Sequence, residues 1–142
     1  MENGMTGNDQ APNIDGADPS GSHATVVVGY SAKPEGRAAL TRGIAMARLN
    51  GSRVVVVYTA PEDDAPEVRA ELDASGLGYD IHQAPDVLDP AEELIKVSEA
   101  SADAMIVIGL RRRSPVGKLL LGSNAQRVLL DASCPVLAVK AE

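Results

Sequence analysis

Four short runs of β-branched and aliphatic residues recur along the chain. They read ATVVVGY (Ala24–Tyr30), RVVVVYT (Arg53–Thr59), AMIVIG (Ala104–Gly109) and PVLAVK (Pro135–Lys140). RVVVVYT is apolar without polar–apolar alternation, as expected of a strand covered on both faces in a parallel sheet, and AMIVIG reads as another buried strand. Helical periodicity fills much of the space between them. Pro34–Leu49 puts Leu40, Ile44 and Ala47 on one face, and Asn50-Gly51 supplies its stop. Glu62–Ala74 reads as a polar, weakly amphipathic helix, and Gly78–Ala84 as a short alternating edge strand. Asp89–Ala100 is the clearest helix, with Asp89 as cap, Pro90 at its first position and Glu92 as reciprocal capping partner. Ser123–Ala132 is helical, with Val128 and Leu129 expected to face inward.

Strands and helices that alternate with short connections imply a parallel sheet with helices on both faces and right-handed crossovers. Such sheets bind ligands beyond the carboxyl ends of their strands, where the strand order reverses. The longest irregular segments at carboxyl ends are Gly29–Lys33, after the first strand, and Gly109–Gly122, after the fourth. If those strands are neighbours, the two loops share one crevice.

The core of this 142-residue chain is aliphatic, because there is no Trp, no Phe and only three Tyr. That argues against single-stranded nucleic acid as a partner, which is gripped by aromatic stacking. A net charge of −7 argues against general binding of polyanions. One cysteine excludes an internal disulfide framework and a cysteine-based zinc site. The aliphatic run Val54–Val57 is far short of a membrane span, and no basic start followed by an apolar stretch marks a signal peptide. The expected location is cytoplasmic, with neither nucleic acid nor membrane as partner. Met1–His23 carries four acids, no Lys or Arg, and many Gly, Pro, Asn and Ser. It reads as a disordered acidic tail ahead of one domain, Ala24–Glu142.

The local charge reverses after the fourth strand. Between Gly109 and Arg127 stand Arg111, Arg112, Arg113, Lys118 and Arg127, with no acid among them. Gly122-Ser123-Asn124 opens the next helix, where free N–H groups and the positive helix end favour an anion. Plainer readings stand beside this one. The arginine triplet is equally a solvated loop or a partner for acids of another subunit, and the turn needs its glycine and cap with or without ligand. It is not a Walker A loop, since Leu119 follows Lys118. His82 sits alone on the edge strand, Cys134 reads as a small buried residue, and the acids from Glu62 to Asp73 read as a solvated face. No residue pattern supports catalysis.

The segment GLRRRSPVGKLLLGSNA resembles the phosphate-binding stretch of the universal stress protein family: glycine, two residues, glycine, nine residues, glycine, then Ser or Thr. Gly109 matches the first glycine, and Gly122-Ser123 match the end. VVVGYSAKPEGRAAL, GSRVVVVYT and DPAEELIKVSEASADAMIVIG are similar to the family's other segments in order, covering Ala24–Glu142. There are two departures. Arg112 replaces the middle glycine, and Ser31 stands where ATP-binding members carry an acid that holds the adenosine; Lys33 also replaces a frequent serine. Arg112 either blocks the phosphate path or grips the phosphate bidentately.

The resemblance implies one doubly wound α/β domain with a five-stranded, mostly parallel sheet in the order 3-2-1-4-5. It implies a binding or regulatory module of the stress response whose nucleotide site is altered. ATP or another phosphate ligand is the cofactor it points to, and the candidate contacts are Ser31, Gly109, Arg112, Gly122, Ser123 and Asn124. It also implies a homodimer through the last strand, Pro135–Lys140, whose apolar edge a two-fold partner would cover. One of Leu137 and Val139 is expected to face the core and the other the partner or the opposite layer. A protein partner for the arginine loop, and slow ATP hydrolysis, are the alternatives.

Overall fold

The computed structural model describes residues 24–83, 89–112, 119–120 and 123–141. The proposed acidic tail, 1–23, lies outside the described residues. The elements in chain order are β1 (Thr25–Tyr30), α1 (Pro34–Asn50), β2 (Arg53–Tyr58), α2 (Ala65–Ser75), β3 (Tyr79–Gln83), α3 (Pro90–Glu99), β4 (Ala104–Arg112), β5 (Leu119–Leu120), α4 (Ser123–Asp131) and β6 (Val136–Ala141). The end signals act as read. Gly51 closes α1 in the left-handed region at φ 66°. Asp89 accepts a hydrogen bond from the Ala91 N–H at 2.9 Å, with Pro90 in the first turn of α3.

The parallel strands lie in the order β3-β2-β1-β4, with β6 on the far side of β4. This is the expected order, β6 being the fifth strand of the sequence reading. Two features differ from expectation. Gly109 does not end the fourth strand, and a two-residue strand, β5, lies inside the segment read as irregular. The reason is backbone pairing. Beyond the reach of β1, β6 pairs with β4 as far as Arg111↔Ala141, and β5 pairs antiparallel through Arg111↔Leu120 and Arg112↔Leu119. Those partners satisfy the N–H and C=O groups that carry β4 to Arg112.

Burial divides the core into two layers. Val26, Val28, Tyr30, Val54, Val56 and Tyr58 meet Leu40, Ile44 and Ala47 of α1 and Val68 and Leu72 of α2. Val27, Val55, Val57, Ile106 and Ile108 meet Ala91 and Leu94 of α3 and Val128 of α4. Every residue of β1 is buried, as a two-faced strand requires. Three sequence expectations are corrected here. Leu129 is 40% exposed, because α4 turns only a narrow stripe inward, around Ala125 and Val128. Leu137 and Val139 share one face, since side chains two apart on a strand point the same way, and both pack on the α1 layer. Glu92 serves Arg127 rather than the backbone of its own helix.

Candidate ligand crevice between β1 and β4

The register of the sheet opens the site. β1 pairs with β4 only from Thr25↔Ala104 to Val28↔Val107, whereas it stays with β2 to Tyr30↔Tyr58. Past Val28 the two central strands part, each following its outer neighbour. The gap at their carboxyl ends is a crevice of about 500 Å³. Ser31, Lys33 and Glu35 line it from the β1 side, and Gly109 and Arg111 from β4. Asn124 and Val128 of α4, with Leu94 of α3, add to the lining. This is the strand-order reversal at which open α/β sheets take ligands.

Two glycines let the walls meet. A Cβ on Gly109 would lie 1.8 Å from the Glu35 carbonyl oxygen, so the first turn of α1 rests directly on β4. A Cβ on Gly36 would lie 2.2 Å from both the backbone nitrogen and the carbonyl oxygen of Ser31. Gly109 is therefore required by packing whether or not a ligand approaches it. Ser31 is buried, and its Oγ accepts a 3.4 Å hydrogen bond from the Lys33 N–H, which folds the loop back toward α1.

A polar network that the sequence reading missed fixes the same wall. Tyr30 and Tyr58, buried at the ends of β1 and β2, contact edge to face at 5.1 Å. Both hydroxyls donate to Asp64, Tyr30 to Oδ2 and Tyr58 to Oδ1, the latter at 3.0 Å. Arg37 donates to the Tyr30 hydroxyl at 3.0 Å and pairs with Glu71 at 3.4 Å. The Glu62 carboxylate accepts from the Ala32 N–H at 3.0 Å. Burial, reinforced by the bond to Asp64, pushes both tyrosine pKa values up. Burial opposes ionisation of Asp64 as well, but the two tyrosine hydrogen bonds outweigh it and hold the carboxyl below its ordinary value. The acids from Glu62 to Asp73 are thus not simply a solvated face; Asp73 also accepts from the Tyr79 hydroxyl at 2.6 Å. The available signal was a pair of tyrosines, each ending a buried strand in a chain with three.

The basic cluster divides. Arg127 is neutralised by Asp89 at 2.6 Å, Glu92 at 2.8 Å and Asp131 at 3.6 Å, so it braces α4 against the start of α3 instead of facing an anion. Arg111 does line the crevice, with its Nε 4.0 Å from Glu35 Oε2. Of the predicted contacts, Ser31, Gly109 and Asn124 come together in the crevice. Arg112 ends β4 and Ser123 begins α4. Gly122, Arg113 and Lys118 lie outside the described residues.

Elsewhere the residues singled out stay apart from the crevice. His82 is exposed on β3, its Nδ1 3.9 Å from Glu93 Oε2. Cys134 is only half-buried, in a hollow of about 350 Å³ away from the crevice. Among the described residues no group of His, Cys, Asp and Glu could hold a metal, and no helix is long and apolar enough to cross a membrane.

Comparison with known proteins gives a consistent result. The universal stress protein family profile matches residues 71–140. A universal stress protein of Mycolicibacterium smegmatis is 42% identical over 126 residues, covering 81% of this chain and 96% of that one. The structure of a universal stress protein from Archaeoglobus fulgidus superposes with a TM-score of 0.63 at 29% identity, over 83% of this chain and 98% of that one. The same fold recurs, at 23% identity and a TM-score of 0.55, in a universal stress protein from Archaeoglobus fulgidus solved in complex with dAMP, over 83% of this chain and 97% of that one.

Proposed function

The chain belongs to the universal stress protein family, and from that premise we propose that it is a small cytoplasmic binding and regulatory module whose β1/β4 crevice takes a phosphate-bearing ligand. The observation that carries this reading is the meeting of Lys33, Arg111 and Asn124 around one crevice at the strand-order reversal. Those side chains offer two positive charges and an amide to an anion in a chain that is acidic overall. The backbone N–H groups that open α4 add the donors of a helix start. Nucleotides are the ligand class, supported by the dAMP complex of the Archaeoglobus relative. The site departs from an ATP site of the family's usual form at Ser31, Lys33 and Arg112. In this reading the module works by binding: among the described residues the crevice lining contains no His, and Glu35, the one carboxylate there, lies 4.0 Å from Arg111 Nε.

Two copies associating through β6 complete the proposal. Among the described residues β6 pairs only with β4, and the exposed Leu129 and Leu130 of α4 precede it by a short turn. A two-fold partner would cover that edge. A sedimentation run showing a well-folded monomer at micromolar concentration would contradict this part.

The ligand reading is tested by purifying the full chain from cells and identifying what heat releases, by absorbance and mass. A nucleotide or another phosphate compound in near-stoichiometric amount is the expected result. Titration of Arg112→Gly with ATP separates the two roles open to Arg112. Affinity rises if the side chain blocks the phosphate path. If it clamps the phosphate, affinity falls by about 1.5–3 kcal/mol, the value of a hydrogen bond to a charged group.

A further inference from the structure

The chain between β2 and α2 is fixed at both ends and tied once in its middle. At the near end Thr59 follows β2, and its N–H, at 2.8 Å, and its Oγ1, at 3.0 Å, both donate to the Tyr30 carbonyl oxygen. At the far end Asp64 stands in the N-cap position of α2. Its carboxylate makes no capping bond there and accepts the hydroxyls of Tyr30 and Tyr58 instead. Both tyrosines are buried, so both ends are fastened to the sheet. Residues 60–63 belong to no helix or strand, and Pro61 among them has no N–H to give. Among the described residues, one hydrogen bond ties this stretch to the rest of the protein. Glu62 Oε2 accepts from the Ala32 N–H at 3.0 Å, in an exposed position.

That bond joins two segments of the crevice lining. Ala60 lines the crevice two residues before Glu62, and so do Ser31 and Lys33, which flank Ala32. The buried ends and the exposed tie differ in what it costs to open them. Water replaces the partner of an exposed N–H or carboxylate, so breaking the tie leaves neither group unsatisfied. Breaking the tyrosine–aspartate contact would strand buried polar groups, so local opening starts at the tie.

We infer that residues 60–63 form a strap at the rim of the crevice, anchored at Thr59 and Asp64 and latched by Glu62, and that release of the latch admits and discharges ligand. The inference rests on the ligand reading above and adds a gate to it. With Glu62 off the Ala32 N–H, Ala60 moves away from Ser31 and Lys33 and the crevice widens on that side. The wall beneath, held by Tyr30, Tyr58 and Asp64, stays in place. Opening of such a strap limits how fast ligand enters and leaves, while the contacts inside the crevice set how tightly it is held.

The test compares the full unmodified chain with Glu62→Ala and Glu62→Gln, and it has two readouts. The first needs no ligand. Amide hydrogen exchange at Ala32 is expected to speed up about fivefold in Glu62→Ala, the equivalent of one net hydrogen bond. The change should be smaller in Glu62→Gln, which keeps an acceptor oxygen, and the amides of β1 and β2 should exchange as before. The second readout is the rate of AMP binding and release, from NMR line shapes. Both rates are expected to rise about threefold in Glu62→Ala, with the affinity changing less than either rate. Unchanged exchange at Ala32 overturns the latch. Faster exchange at Ala32 with unchanged AMP rates overturns the gate and leaves the ligand reading standing. Acceleration throughout β1 and β2, or a Glu62→Ala chain that does not fold, makes Glu62 a support of the core and overturns the inference as well. Binding of AMP to none of the three proteins overturns the ligand reading together with the gate.

Discussion

The two walls of the crevice are built by opposite means. On the β1 side the wall is dry and over-determined. The seventeen-residue helix α1 lies on a buried layer, two tyrosines share one aspartate, and Gly36 and Gly109 allow backbone to rest against backbone. On the α4 side a nine-residue helix has, among its described side chains, a single fully buried one, Val128, and is braced by half-exposed ion pairs at Arg127. Buried packing is not screened by water or salt, whereas exposed pairs are. The contrast assigns different work to the walls: one fixes the position of Ser31, Lys33 and Glu35, and the other presents Asn124 on an element that opens at lower free-energy cost.

Substitutions can break or sharpen that contrast. Gly109→Ala should have the largest effect, destabilising the fold by about 3 kcal/mol or more, because backbone rather than a movable side chain occupies the space. Thermal unfolding measures it, and a loss below about 0.5 kcal/mol would mean the walls are not in contact. Val128→Ala comes next, at about 2 kcal/mol for lost burial and an unfilled cavity. Hydrogen exchange should then speed up in α4 more than in α1; equal acceleration in both would erase the distinction between the walls.

Tyr58→Phe follows, at about 1.5 kcal/mol for one hydrogen bond to a carboxylate. It also reshapes the pH profile. The depressed folded-state pKa of Asp64 gives stability that is complete above its unfolded value and is lost as pH falls toward the folded value. With one tyrosine donor removed, the folded value rises toward the unfolded one, so the variant should lose less stability between pH 5 and pH 3 than the unmodified chain, a range drawn about the ordinary Asp value of ~3.9. Parallel acid limbs would argue against the shared carboxylate. Arg127→Met should give the smallest drop in Tm, and the difference from the unmodified protein should shrink as salt is added. A salt-independent loss would place Arg127 among the buried supports.

Most of the architecture was legible because it rests on local signals. Non-alternating Val runs, the Asp89-Pro90 start and the Asn50-Gly51 stop each act within a few residues, and the strands and helices fall where those signals put them. The misreadings share another cause. The extension of β4 to Arg112 depends on β5 and β6, which pair with it from later in the chain. Leu129 is apolar in a helix too narrowly covered to bury it. Arg127 looked like part of a basic cluster in sequence, but two of the acids that neutralise it, Asp89 and Glu92, stand at the start of α3, more than 30 residues earlier. Asp64 lies 34 residues from Tyr30, a distance at which no periodicity operates. Of the candidate site residues, Ser31, Gly109 and Asn124 fall along one crevice, and Gly122 lies outside the described residues. Glu35 was not legible in sequence, because its significance comes from lying across from Arg111, a residue of another element.

The central claim is that a phosphate-bearing ligand occupies the opening between β1 and β4. The most direct measurement is an amide chemical-shift titration of the full, isotopically labelled chain with AMP. The account predicts saturable shifts concentrated at Ser31, Gly109, Arg111 and Asn124, with His82 and Cys134 unmoved. Shifts centred on the hollow around Cys134, or none at millimolar AMP, would contradict it.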